Sequence, residues 1–192
     1  QQVSSAASDV YKRQLLDERY PKFDEMFEEA SIETNIEKNL LAAISFQESQ
    51  WDPKAKSNMG VRGMMMVTLE TAALVGVEKR LNPEQNIKGG AKYFAMLQEK
   101  NKIGPTDPDK LSITLASYNL GPTNIFNIAN SIDKEIENVS WVEISEQLKI
   151  IRGSELNLTD KDNYTRGQQA IDYVDRVKNL SLIHISEPTR HT

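Results

Sequence analysis

The 192-residue sequence predicts a mainly α fold in one domain. Three observations carry this prediction. Capping residues and helix-terminating glycines recur along the chain, apolar residues fall at helical spacing, and strand-like alternation is sparse. With 39% hydrophobic and 27% charged residues, a chain of this length buries a core without staples.

The elements follow in order. Asn35 is placed to cap a helix from Ile36 to about Gln50, with Leu41, Ile44 and Glu48 on one stripe. Residues 53–63, PKAKSNMGVRG, mix proline, asparagine and glycine and read as an irregular loop. Thr68 opens a short helix that ends near Gly76. Asn82-Pro83-Glu84-Gln85 combines a cap, a proline at the first helical position and a glutamine three residues after the cap. The helix it starts runs through Tyr93, Phe94 and Leu97. Asp107-Pro108 repeats the signal for a helix bearing Leu111, Leu115 and Tyr118, broken at Gly121-Pro122. Ser140 to Glu143 forms a capping box, and Tyr164 to Leu180 reads as a last amphipathic helix on Ile171, Val174 and Val177.

Composition narrows the function. There is no cysteine, which excludes disulfides, thiolate metal sites and cysteine nucleophiles. The net charge of −5, without a basic cluster, argues against a nucleic-acid partner. No apolar run approaches the ~20 residues of a transmembrane helix, and no signal-peptide core opens the chain. Residues 1–14 and 181–192 are read as tails outside a domain of residues 15–180. Their SSAASDVYKRQ and SLIHISEPTRHT resemble translated sequencing-adaptor read-through. Both histidines, His184 and His191, lie in the closing tail, so a domain without them has no serine–histidine triad and lacks the commonest zinc ligand.

Glu48 is the residue to explain. On an apolar stripe, desolvation favours the protonated carboxyl that a general acid needs. Periodicity alone favours a glutamate at the margin of the stripe, bonded to a loop amide.

The runs FQESQWDPKAKS, GVRGMMMVT, ASYNLG and NYTRGQQAIDYV, in this order and spacing, resemble the catalytic domain of the lytic murein transglycosylases. The group is that of the soluble lytic transglycosylases, nearest the membrane-bound F type. The likeness spans roughly residues 30–180. It implies a lysozyme-like fold, peptidoglycan glycan strands as substrate, and cleavage of the MurNAc-GlcNAc β-1,4 bond without water, leaving a 1,6-anhydro-MurNAc end. It implies no cofactor and no metal. By this resemblance Glu48 is the acid and then the base, and Tyr118 aims its hydroxyl at the reacting sugar or at Glu48. Ser57 lies near the catalytic carboxyl in relatives, although alone it reads as a turn residue. Gly63 lets backbone approach substrate, Met65 lines the cleft, and Asn119 holds a substrate amide or the turn. Met64 and Met66 are read as packing residues. Met66 stands where the commoner family pattern has glutamine. Tyr164, Arg166 and Gly167 belong to the F-type C-terminal stretch.

The chemistry agrees with the resemblance. Ordinary glycosidases use two carboxyl groups. This motif supplies one, because the proline after Asp52 biases Asp52 toward a turn. A lysozyme that admits water and a binding module without turnover are the alternatives. The family also implies a periplasmic location peripheral to the outer membrane, with a solute-binding-like domain upstream.

Overall fold

The computed structural model describes residues 5–151 and 163–183. The rest of the two tails, with His184 and His191, and the side chain of Tyr164 lie outside the described residues. Among those described, the helices are α1 (Ser5–Glu18), α2 (Asp24–Thr34), α3 (Lys38–Ser49), α4 (Leu69–Val75), α5 (Pro83–Lys100), α6 (Asp107–Leu120), α7 (Pro122–Asn130), α8 (Trp141–Ile150) and α9 (Asn163–Ser181). Among the described residues, extended pairing consists of two isolated bridges, Lys56 with Arg62 and Arg62 with Val67. The chain forms two compact units, Gln1–Tyr93 with Val177–Thr192, and Phe94–Arg176.

In the first unit, Phe27 and Ala30 of α2 and Leu40, Leu41 and Ile44 of α3 are buried where these helices pack. Tyr20 stacks on Phe27 and donates to Asp24 at 2.6 Å. Burial and then the Asp24 carboxylate push the Tyr20 hydroxyl's pKa up. Lys38 pairs with Asp24 and Glu28, each at 3.2 Å, and Lys92 with Glu33 at 3.2 Å. These partly exposed pairs add little stability but fix the outward faces.

Two capping assignments need correction. Asn35 does not start α3; it ends α2 in the left-handed conformation, φ 58°, which asparagine tolerates. The same side chain suits either end of a helix, and the three-residue connection from Asn35 to Glu37 left room for both. At α6 the cap is Thr106, one residue before Asp107, and its hydroxyl oxygen accepts from the Asp109 N–H at 3.2 Å. Residues 5–14, expected to be a tail, form the first turns of α1, where Tyr11 donates to Gln50 at 3.2 Å. Thr68 and Gly76 bound α4, and Asn82 accepts from the Gln85 N–H at 3.0 Å at the start of α5, as the sequence predicts.

In the second unit, Asp109 accepts from the Trp141 N–H at 3.0 Å and so ties the start of α6 to the start of α8. The Ser140–Glu143 capping box is formed in full. The Ser140 backbone N–H, then Lys134, hold the Glu143 carboxyl below its ordinary range. Gly121-Pro122 interrupts the helix for a single residue, and α7 begins at once with proline in its first turn. At Gly167 of α9, a Cβ would overlap the Leu148 carbonyl, so only glycine permits that approach to the end of α8.

Candidate active site

Glu48 is the penultimate residue of α3 and is half-buried. Leu41 and Ile44, earlier on its stripe, are fully buried, so the stripe is a packing face with Glu48 at its margin. Helix α3 ends in two successive left-handed residues, Gln50 at φ 53° and Trp51 at φ 57°. Neither is glycine, and such backbone costs about 1–3 kcal/mol per residue. The surroundings hold it there. The Gln50 N–H donates to the Phe46 carbonyl at 2.7 Å, and the buried Trp51 donates through Nε1 to the Ala42 carbonyl at 3.0 Å. The Trp51 ring packs against Tyr20 and Phe46 at centroid distances of 5.0 and 4.8 Å.

The loop after α3 assigns several sequence-predicted residues. Asp52 accepts from the Lys54 N–H at 2.9 Å, and its own N–H donates to Ser49 at 3.1 Å, so it is a turn residue. The Ser57 hydroxyl oxygen accepts from the Met59 and Val61 N–H groups at 3.2 and 3.3 Å, which organises the turn and leaves its O–H to donate elsewhere. Gly63 has φ 85°, and a Cβ there would overlap the Asn86 side chain and the Arg80 carbonyl. The close approach requiring glycine is therefore to the protein's own chain. Met65 requires a correction. Expected to line a cleft, it is 0% exposed, with its side chain against Gly90, because the loop folds inward here. Met64 is buried as expected, while Met66 is half-buried with φ 50°.

Three residues hold this inward fold, and two of them, Ser45 and Asn86, were not singled out from the sequence. Ser45 and Ser49, one helical turn apart on α3, both place their hydroxyls 2.8 Å from the Met64 carbonyl. From α5, the fully buried Asn86 accepts the Met65 N–H at 2.7 Å and donates to the Arg62 and Arg80 carbonyls at 2.9 and 2.8 Å. Arg80 in turn donates to the Gly60 and Val67 carbonyls at 2.6 and 3.1 Å. The available signal for Asn86 was an asparagine inside a helix, where its propensity is poor, beside the apolar Ile87.

In the second unit, Tyr118 and Asn119 occupy the last turn of α6 and are half-buried. The Tyr118 ring lies 6.3 Å from Phe94, tilted by 53°. The Asn119 Oδ1 is buried and accepts no hydrogen bond among the described residues. Such an acceptor is costly unless a donor reaches it. Gly121, at φ 97°, turns the chain, while Asn124 donates to the Leu120 carbonyl at 2.8 Å and closes the helix.

In the first unit Glu48 is a half-buried carboxyl at the end of α3, while Asp24 is engaged by Tyr20 and Lys38 and Asp52 is consumed by its turn. The second offers the half-buried Tyr118 and, next in sequence, Asn119. Among the described residues no group of three or more His, Cys, Asp or Glu could hold a metal ion, and no helix is long and apolar enough to cross a membrane. A cavity of about 340 Å³ lies against Leu16, Phe46, Trp51 and Leu180. Glu48 is not in its wall.

Comparison with known proteins gives a consistent result. The family model of the transglycosylase SLT domain matches residues 25–140. Membrane-bound lytic murein transglycosylase F of Saccharophagus degradans is 38% identical over 169 residues, covering 88% of this chain and 34% of that protein. Membrane-bound lytic murein transglycosylase F 2 of Alkalilimnicola ehrlichii is 36% identical over 170 residues, covering 87% of this chain and 37% of that one. This chain therefore spans about a third of the length of the curated relatives it matches. Among solved structures, an inactive mutant of the lytic transglycosylase Slt from Pseudomonas aeruginosa is similar with a TM-score of 0.54 and 17% identity, covering 81% of this chain and 24% of that one. The 70 kDa soluble lytic transglycosylase from Escherichia coli follows with a TM-score of 0.51 and 21% identity, covering 85% and 25%. The mainly α, lysozyme-like class expected from the sequence is the fold observed.

Proposed function

The chain belongs to the transglycosylase SLT domain family, and from that premise we propose that it is the catalytic domain of a lytic murein transglycosylase with Glu48 as its single acid/base. The observation that carries this reading is the half-buried Glu48 at the end of α3, with Asp52 engaged in a turn. In this reading Glu48 meets the substrate protonated, because a general acid must deliver a proton to the leaving oxygen.

Glu48 donates its proton to the glycosidic oxygen as the bond from that oxygen to C1 of MurNAc breaks. The sugar's own N-acetyl oxygen stabilises the cationic C1, replacing the second carboxylate of an ordinary glycosidase. The Glu48 carboxylate then takes the proton of the C6 hydroxyl, whose oxygen closes on C1. The products are a 1,6-anhydro-MurNAc end and a free GlcNAc hydroxyl, and Glu48 is protonated again. No water enters the balance.

The other sequence-predicted residues join this reading as proposals. Asn119 holds a substrate amide or the turn, and Ser57 donates its hydroxyl proton toward substrate. Gly63 serves by letting the loop close on Asn86. Tyr118 orients the reacting sugar through its hydroxyl. Tyr118→Phe is expected to slow cleavage by about tenfold, the equivalent of ~1.4 kcal/mol in the transition state. An unchanged rate on purified sacculi would return the ring to a packing role.

The domain in this reading is residues 15–180, acting in the periplasm at the outer membrane as part of a longer protein with an upstream solute-binding-like domain. Its partner is the peptidoglycan glycan strand. Mass spectrometry of digested sacculi tests the reaction: products are expected to be one water lighter than lysozyme products and to resist borohydride. Reducible products would make the protein a lysozyme, and binding without cleavage would make it a binding module.

A further inference from the structure

We propose that the Met64–Met65 peptide group is the element that positions Glu48, with Ser45, Ser49 and Asn86 as positioning residues. The proposal rests on the reading of Glu48 as acid/base. Both polar ends of this one buried peptide are held by side chains from different helices. Its carbonyl receives Ser45 and Ser49 of α3 at 2.8 Å each, and its N–H reaches Asn86 of α5 at 2.7 Å.

Ser49 directly follows Glu48 and is the last residue of α3. Helix ends fray because their final carbonyls lack helical partners, and here the chain must also enter two strained left-handed residues at once. A hydroxyl locked to a loop that is itself fixed to another helix holds this turn closed. The serines at positions 45 and 49 stand on one face of the helix. Alanine at either would favour the helix more, so helix propensity does not explain them. Asn86 prevents the loop from sliding, because its amide hydrogens go to the Arg62 and Arg80 carbonyls. Gly90 admits the Met65 side chain where a Cβ would overlap it. The carboxyl of Glu48 is thereby held to the tolerance proton transfer requires, about 0.5 Å.

The test is steady-state cleavage of soluble glycan strands by the full chain carrying Ser45→Ala/Ser49→Ala, Ser49→Thr, Asn86→Asp, and the serine pair combined with Asn86→Asp. Melting temperatures are measured in parallel. The double alanine variant is expected to lose about ten- to a hundredfold in kcat, the size of effect that a displacement near 1 Å produces. Its KM should stay within about twofold, since binding groups are untouched. Ser49→Thr, which keeps the hydroxyl, should retain most of the rate. The kcat losses of the serine pair and Asn86→Asp should combine less than multiplicatively, because both break one link. Lower melting temperatures with parental kcat, or fully multiplicative losses, would overturn the proposal. Glu48→Gln is the control. If it cleaves at the parental rate, the acid/base reading fails. If it is inactive while the other variants keep parental kcat, the positioning proposal alone fails.

Discussion

Glu48→Gln is expected to cut cleavage of purified sacculi by about 10²–10⁴-fold, the usual contribution of a positioned general acid. The amide has the size and helix preference of the carboxyl, so α3 should form unchanged. It can neither deliver a proton to the leaving oxygen nor recover one from the C6 hydroxyl. Both halves of the reaction stop together. Because the side chain is half-buried and lies beyond the fully buried Leu41 and Ile44, the thermal midpoint should move by only a few degrees. Clearing of sacculi turbidity measures the rate and calorimetry measures the fold. Undiminished clearing would mean that the acid lies elsewhere.

The largest loss of stability is expected from Asn86→Ala, at about 3–5 kcal/mol. The side chain is fully buried and makes three hydrogen bonds, of which the Met65 contact is the shortest at 2.7 Å. Alanine removes all three and leaves a void beside Gly63, whose backbone lies against this amide. The Arg62 carbonyl keeps the Val67 N–H at 2.8 Å, so the cost falls mainly at Met65 and Arg80. Urea denaturation of the purified chain gives the value. A loss below about 1 kcal/mol would mean that the loop rearranges to find other partners.

What the sequence made legible was local. The cap at Thr68, the Asn82-Pro83 start and the Ser140–Glu143 box all form as predicted, because each depends on residues within one helical turn. Asn35 misled for the same reason, since its side chain serves a helix start or a left-handed helix end equally well. The helix α7 was hidden behind Gly121-Pro122. That pair reads as a stop, although proline in a first turn is also a start. Nothing local could show that Met65 turns inward or that Asn86 receives it, because 21 residues separate this donor from its acceptor. The likeness to known transglycosylases named Glu48 and Tyr118, but it was silent on Ser45 and Asn86. Their work is done between elements, where periodicity carries no signal.

The aromatic packing at the end of α3 also gives the protein an optical handle. The chain has two tryptophans, Trp51 in the first unit and Trp141 in the second. Trp51 is 1% exposed and bonded to Ala42, whereas Trp141 is half-buried at the start of α8. Their emission is therefore expected to differ in colour, the enclosed indole to the blue. With Trp141→Phe, the remaining fluorescence reports only the turn that follows Glu48. Opening of that turn then becomes visible without substrate and apart from turnover, and its midpoint can be set against unfolding followed by circular dichroism. Coincident transitions would make the end of α3 part of the cooperative core. An earlier fluorescence transition would make it a separately melting segment.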